Sequence, residues 1–477
     1  MPGPTPETAD EQSPIPPTGP PPAAAPHAEG GASDAGATGA ARSHPARTDA
    51  PAGHPAPTGA GSAGAPAGLG PDLRPDGSRA GIGRAGVAVL GGLVALGPLT
   101  TDLYLPALPA LTADLHSTPA AAQLTLTFSM LGIAAGQLVF GPLSDRLGRR
   151  RPLLAGLAAY ALATLVCLTA TSLPVLVAGR FVQGMAGAAG LVIGRAIARD
   201  RYDGVAVVRF LASIGLISGL APILAPMLGA QLLRATSWRG TFGALLALGV
   251  LLLLIAVAAL RETLPPHRRH GGGLGATLRA IGGLLRDTRF LGLVLTSTFA
   301  FGALFGYISG SSFVLQHVYG VSPQTYSLLF GLNSVAIVGV SQLNGRLLAH
   351  RFPARGLMTA GLAVCAAAAT ALVLLTGVWD LGLAGFCPAV FVMMGSMGVV
   401  LPNSAATALT MVDPPSAGSA SALLGLGTFL CGAVVAPLSS AGGEPSALVL
   451  GVVVLTCALL SCAAYLLLCR PWARPAA

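Results

Sequence analysis

The chain has no lysine: all 27 of its basic residues are arginine, and only 9% of its 477 residues are charged. Soluble proteins carry about a quarter charged residues, so this scarcity excludes an ordinary water-soluble domain. Cysteine is sparse as well. The seven present (Cys167, Cys365, Cys387, Cys431, Cys457, Cys462 and Cys469) form no Cys-x-x-Cys pair and fall almost entirely in apolar stretches. They read as small buried hydrophobes, which excludes a disulfide framework or a cysteine-held metal. No metal-ligand cluster or nucleophile triad occurs, so neither a cofactor nor catalysis is expected. The glycine-rich GGGLGAT of Gly271 to Thr277 lacks the Gly-Lys-Ser/Thr of a phosphate loop, which removes nucleotide as a partner. GIGRAG, Gly81 to Gly86, fits the dinucleotide pattern by chance: no strand precedes it and a membrane-length apolar run follows.

Hydrophobic residues are abundant, at 53%, with a mean hydropathy of +0.71. Residues 1–80 stand apart: they are Pro, Ala, Gly, Ser and Thr with no apolar period, the composition of a disordered tail. The tail lacks the basic start and short apolar core of a signal peptide, so the first apolar run is expected to be a retained helix. A bilayer core takes roughly 20 apolar residues per helix. Twelve such runs follow, centred near Leu96, Leu131, Ala161, Gly187, Leu220 and Leu251, then near Leu304, Val335, Ala366, Val390, Gly427 and Thr456. The longest polar interruption, Arg261 to Arg289, divides them six and six.

The expected architecture is therefore an all-α membrane protein of twelve transmembrane helices in two pseudo-symmetric halves. Residues 82–261 form the first half, 262–288 a linker, 289–470 the second half and 471–477 a short tail. Leu274, Leu278, Ile281 and Leu285, with Arg279 and Arg286, predict an interfacial amphipathic helix in the linker.

Cytoplasmic loops carry the basic excess. With the N-terminus inside, that side collects Arg146, Arg149, Arg150, Arg151, Arg195, Arg199, Arg201, Arg209, the linker arginines, Arg346, Arg351, Arg355, Arg470 and Arg474, while the outside receives only Arg234 and Arg239. The net charge of +9 is thus a topology signal and does not point to nucleic acid. Both termini are expected in the cytoplasm. Setting Gln137-Leu138 against Gln342-Leu343 places Phe290 opposite Ala85 and makes NGRLLAHR, Asn344 to Arg351, a worn copy of the loop GPLSDRLGRR, with His350 where Asp145 stood. Internal duplication of this kind is common in transporters.

Within that loop, Gly141 and Gly148 permit a tight turn and close helix approach. Asp145 can accept from amides at a helix N-terminus or pair with Arg146 or Arg149; topology alone accounts for the arginines but not for the aspartate. Asp102 is the only acid deep within an apolar run, and an intramembrane carboxylate points to function. Its position leaves two readings open, near the membrane middle or at the outer edge. Arg180 in the fourth run is the natural cation for Asp102, the alternative being that it snorkels to the headgroups. Gln183, one turn on, can bond either group or a substrate. In the fifth run, Pro222 and Pro226 share one face, each freeing a carbonyl, and Gly229 allows close contact. The glycines Gly184, Gly187, Gly190 and Gly194 of the fourth run read as packing.

Together, GPLSDRLGRR, TDLYLPALP (Thr101 to Pro109), GRFVQG (Gly179 to Gly184), APILAPMLG (Ala221 to Gly229) and RETLPPHRR (Arg261 to Arg269) resemble the major facilitator superfamily and, within it, the Bcr/CflA drug-resistance group, over roughly residues 82 to 472. The resemblance implies the major facilitator fold and proton-coupled multidrug export across a bacterial inner membrane, with drug-like substrate, protons and lipid as partners. It implies a proton-coupling role for Asp102, a helix-four arginine at Arg180, and an antiporter-type motif at Pro222, Pro226 and Gly229. It makes Gly141, Asp145, Arg146, Gly148 and Arg149 a conformational latch between halves, and the start of the eleventh helix, Pro415 to Ser419, is the expected docking point. Tyr104, Phe128, Gln183, Phe305, Tyr307 and Asn333 are candidates to line the substrate cavity, helix packing being the alternative for the aromatics and Asn333. The second acid of relatives that export lipophilic cations is missing, Val94 and apolar neighbours occupying its place, so neutral or weakly polar drugs of the bicyclomycin and phenicol kind are expected. A monomer is expected. Rival functions are a proton-coupled metabolite carrier on the same fold and a non-transporting sensor, for which the long tail argues.

Overall fold

The computed structural model describes residues 84–201, 204–269, 274–413, 416–440 and 444–470. The tail at 1–80, the last residues 471–477 and Pro415 lie outside them. With no water in a bilayer core to satisfy the backbone, a spanning segment must hydrogen-bond to itself, and helices do so throughout. The first half comprises α1 (Arg84–Asp102), α2 (Pro119–Leu147), α3 (Arg150–Leu168), α4 (Leu173–Arg201), α5 (Gly204–Ala235) and α6 (Trp238–Ala259). The second comprises α7 (Thr288–Phe313), α8 (Pro323–Leu343), α9 (Ala354–Gly377), α10 (Gly382–Thr410), α11 (Ala417–Leu438) and α12 (Ala447–Ala464). Among the described residues, eleven spans are long and apolar enough to cross a membrane, and α5 contributes a shorter apolar stretch, Gly219–Ala235. No strand occurs among the described residues.

The two halves meet along α2 with α11 and along α5 with α8. Displacing each label by six converts one pair into the other, so the interface itself has the two-fold character expected of a duplicated unit. The linker helix, Leu274–Leu284, rests against α2 and α11, with Ile281 buried in the core and Arg279 exposed.

Proline chemistry breaks the first span. Pro106 has no N–H to give the Asp102 carbonyl, and its ring collides with that carbonyl in a continuous helix. The α-helix accordingly stops at Asp102, turns through Leu103 and Tyr104, and resumes as a short 3-10 turn, Leu105–Ala107, and a helix, Leu108–Asp114. Asp102 thus falls near the middle of the Val89–Asp114 span, not at its edge. Gly229 of α5 accommodates the break: a β-carbon there would collide with the Leu103 carbonyl oxygen, so a larger residue would push on backbone.

Candidate functional site

A cavity of about 1110 Å³ lies between the halves. It runs from Asp102 at mid-span to Asp145, Arg149, Arg195 and Arg199 at the arginine-rich face. At the opposite face the halves are stitched together. Pro109 denies the Leu105 carbonyl an α-helical partner; the Leu108 N–H takes one lone pair and Ser312 Oγ of α7 donates to the carbonyl at 2.6 Å. Pro226 likewise frees the Pro222 carbonyl, and Ser334 Oγ of α8 donates to it at 3.3 Å. Ser327 Oγ donates to the Pro226 carbonyl at 2.9 Å, Gln123 Nε2 to the Ser309 carbonyl at 3.1 Å, and Thr127 Oγ1 to the Ala433 carbonyl at 2.9 Å. Pro226 of α5 therefore exposes an acceptor that the other half uses, and Ser327 takes the Pro226 carbonyl as well.

Asp102 lines the cavity at 4% exposure and accepts a hydrogen bond from Thr101 Oγ1 at 3.1 Å. The expected Asp102 to Arg180 pair is not formed. Arg180 is fully buried behind the α1 break and donates to the Thr100 carbonyl at 3.1 Å and to Gln183 Oε1 at 2.6 Å. Its guanidinium carbon sits 4.4 Å from the Tyr104 ring centroid and 5.7 Å from that of Phe242. Carbonyl dipoles and aromatic faces stabilise the cation where a carboxylate was expected, and it reaches neither headgroups nor cavity. Gln183 does line the cavity and passes the network on, donating to Thr164 Oγ1 at 2.8 Å.

Of the expected cavity residues, Phe305, Tyr307 and Asn333 line it, while Tyr104 and Phe128 do not. Tyr104 is committed to packing beneath Arg180, its hydroxyl 3.1 Å from Thr125 Oγ1. Phe128, at 37% exposure, points outward from α2. Asn333 Nδ2 donates to Tyr307 Oη at 2.7 Å, and Tyr307 stacks on Phe330 with centroids 5.8 Å apart. Phe301 stacks on Phe305 at 5.9 Å and meets Phe429 edge-on at the same distance. This aromatic wall belongs wholly to the second half. Phe301, Phe330 and Phe429 were missing from the sequence reading, although the four-residue step from Phe301 to Phe305 places both on one helical face.

At the arginine-rich face, Asp145 pairs with Arg149 at 2.5 Å, and Arg149 Nε reaches Asp200 of α4 at 2.9 Å. Glu262, beyond α6, accepts from the backbone N–H groups of Arg149 (2.8 Å), Arg150 (3.2 Å), Thr263 (3.0 Å) and Leu264 (3.0 Å). Partial burial pushes the Glu262 carboxyl up, but these four donors outweigh it and hold the group below the usual carboxylate range. Burial disfavours the Arg149 charge, and Asp200 and Asp145 more than restore it, leaving the guanidinium more firmly protonated than usual. Gly148, with φ +89° and ψ 168°, occupies backbone space essentially reserved for glycine, and the Glu262 carboxylate stands where a β-carbon would go. The cluster binds α2, α4 and the segment after α6 of one half. Asp145 makes no hydrogen bond or ion pair with the described residues at the start of α11, Arg146 projects outward, and His350 is exposed without a counterpart pair. Glu262 and Asp200 complete the cluster and were not singled out from sequence, because neither lies within the loop motif.

The Major Facilitator Superfamily pattern matches residues 90–437. The chain is 38% identical over 382 residues to the "Uncharacterized MFS-type transporter YdgK" of Bacillus subtilis (strain 168), covering 79% of this chain and 93% of that one. It is 31% identical over 352 residues to the "Bicyclomycin resistance protein homolog" of Haemophilus influenzae, covering 74% and 88% respectively. The fold is similar to a solved bacterial homolog of the human lysosomal transporter Spinster in its inward-facing, unoccupied conformation, with TM-score 0.63 and 18% identity over 82% of this chain and 98% of that one. The chain is a transporter and not an enzyme. With twelve helices in two interlocking sixes, one cavity wall from each half and the loop GPLSDRLGRR at the mouth, it belongs to the Major Facilitator Superfamily, where it is Bcr/CflA-like.

Proposed function

We propose that this protein exports small drug-like molecules across the bacterial inner membrane in exchange for protons. Asp102 carries the reading. Among the residues lining the cavity it is the one carboxylate at mid-span; Asp145 and Asp200 lie at the mouth and are both bonded to Arg149. The arginine-rich face is cytoplasmic by the distribution of charge, with both termini on that side, so the cavity opens where an exporter must collect its substrate. Drug occupies the space between Asp102 and the wall of Phe305, Tyr307 and Asn333, and Asp102 gives up its proton to the cytoplasm. Rocking of the halves about the midplane exposes the site outside, where drug leaves and a proton returns to Asp102. Arg180 acts indirectly, holding the Thr100 carbonyl two residues from Asp102 and so fixing the break that presents the carboxyl.

The cavity volume suits a drug-sized ligand, and similarity to a bicyclomycin resistance protein homolog supports small neutral or weakly polar substrates. In energised inverted vesicles, adding bicyclomycin- or phenicol-class drugs is expected to dissipate the lumenal acidification. Absence of drug-induced proton movement across a broad panel contradicts the exchange.

A further inference from the structure

Arg195 and Arg199 are one helical turn apart on α4, and both line the mouth of the cavity. Residues four apart on a helix are neighbours, and like charges so placed repel each other. The mouth contains three arginines and two acids, but the charge is unevenly shared. Asp145 and Asp200 are both engaged by Arg149, the first at Nη1 and the second at Nε. Arg195 and Arg199 have no hydrogen-bond or ion-pair partner among the described residues. Both are solvent-accessible, yet they face a passage walled by α11 residues such as Gly418, Ser419 and Ala422, not open loop water. A topology signal needs arginines only at the membrane edge, where Arg150 and Arg151 already stand at the start of α3; it does not require two unpaired ones inside the passage.

We propose that Arg195 and Arg199 make the cavity mouth an anion-selective vestibule, drawing in amphipathic solutes that bear a carboxylate or other negative group and turning away cations. Low-dielectric helix walls focus the field of the two guanidinium groups along the passage, and such focusing changes encounter rates by roughly 10- to 1000-fold. The proposal rests on the reading of this cavity as a substrate route and adds a charge preference at its mouth: neutral or weakly polar solutes enter without bias, negative ones gain and cations are turned away. A negative solute gains transient pairing at the turn of Arg195 and Arg199, then passes to the aromatic wall, where its apolar body is held. The four-residue spacing matters because both cations lie along one line of entry.

The test reads entry without requiring transport. None of the seven cysteines lines the cavity, so the parent chain is its own blank. A Ser419→Cys variant of the full chain, in nanodiscs of uncharged lipid, is reacted with sulfonatoethyl methanethiosulfonate and with trimethylammonium-ethyl methanethiosulfonate. Taking the ratio of the two rates cancels any change in the reactivity of the thiol itself. The ratio is expected to favour the anionic reagent and to fall at least about 10-fold when Arg195→Gln and Arg199→Gln are added. The Arg195→Lys, Arg199→Lys pair should restore it, and Arg351→Gln, which removes a charge from the same face outside the cavity, should leave it unchanged. A ratio that stays within twofold in the double glutamine variant overturns the proposal, as does an equal fall with Arg351→Gln. Because labelling needs neither drug nor proton gradient, failure here is distinguishable from failure of proton-coupled export.

Discussion

The guanidinium carbon of Arg180 lies 4.4 Å from the centroid of the Tyr104 ring and makes no ion pair with Asp102. A buried cation thus uses an aromatic face and backbone carbonyls, leaving the Asp102 carboxylate free of it at the cavity wall. This separation makes the two residues experimentally distinguishable.

Asp102→Asn removes the titratable group while keeping its shape and its acceptor for Thr101. Proton-driven uphill export should be lost, while binding of drug measured on the purified protein should persist. Full proton-driven export by this variant in inverted vesicles sinks the coupling assignment.

Arg180→Lys keeps the charge but loses the planar fork that bonds the Thr100 carbonyl and Gln183 while stacking on Tyr104. A hydrogen bond from a charged donor is worth about 1.5–3 kcal/mol, so loss of the fork should give a clear fall in melting temperature. Tyr104→Phe retains the ring and removes the hydroxyl contact with Thr125, costing about 1 kcal/mol. Equal melting of Arg180→Lys and the parent contradicts a stabilising role for the fork.

Glu262 supplies a pH dependence of definite sign. Its folded carboxyl sits below the usual Glu range, so its stabilisation is complete above the ordinary value of about 4.3 and is lost as pH falls through the lower folded value. Thermal melts of the parent should therefore drop below about pH 4. Glu262→Gln should melt lower than the parent at pH 7 and change less on acidification. Gly148→Ala, forced into glycine-only backbone space against that carboxylate, should cost about 1–3 kcal/mol.

Gly229→Ala puts a methyl against the Leu103 carbonyl, which cannot yield without moving the α1 break and Asp102 with it. Overpacking of this kind costs roughly 1–3 kcal/mol. Export should fall more steeply than expression, a split that transport normalised to folded protein measures.

Ser334→Ala and Ser312→Ala each remove a bond between the halves at a proline-associated carbonyl, at 3.3 and 2.6 Å. At about 1 kcal/mol per bond, each should shift the population toward the state open on the opposite face by roughly fivefold. Cysteine labelling from that face reads the shift; unchanged accessibility in the double variant contradicts a role for the seam.

Much of the plan is written in composition. The apolar runs and their division at Arg261 to Arg289 suffice for twelve helices and two halves, because bilayer thickness and backbone hydrogen bonding allow little else; the break of the first span at Pro106 came only with the structure. Of the residues named from sequence as cavity candidates, Phe305, Tyr307 and Asn333 line the cavity, whereas Phe128 and Tyr104 went elsewhere. In a membrane helix apolar residues surround the whole circumference, so sequence carries little information on which face turns inward.

The sequence by itself determined the spans and the placement of charge at their ends, and it singled out Asp102; the structure decided that this carboxylate lies at mid-span. Tertiary structure alone decided that Arg180 rests on Tyr104 and not on Asp102, that Glu262 and Asp200 complete the loop cluster, and that serines of one half take carbonyls exposed by prolines of the other. Those choices depend on how each helix is rotated about its own axis and on which distant segment it meets. Packing between helices sets both, and the local sequence of any one helix does not.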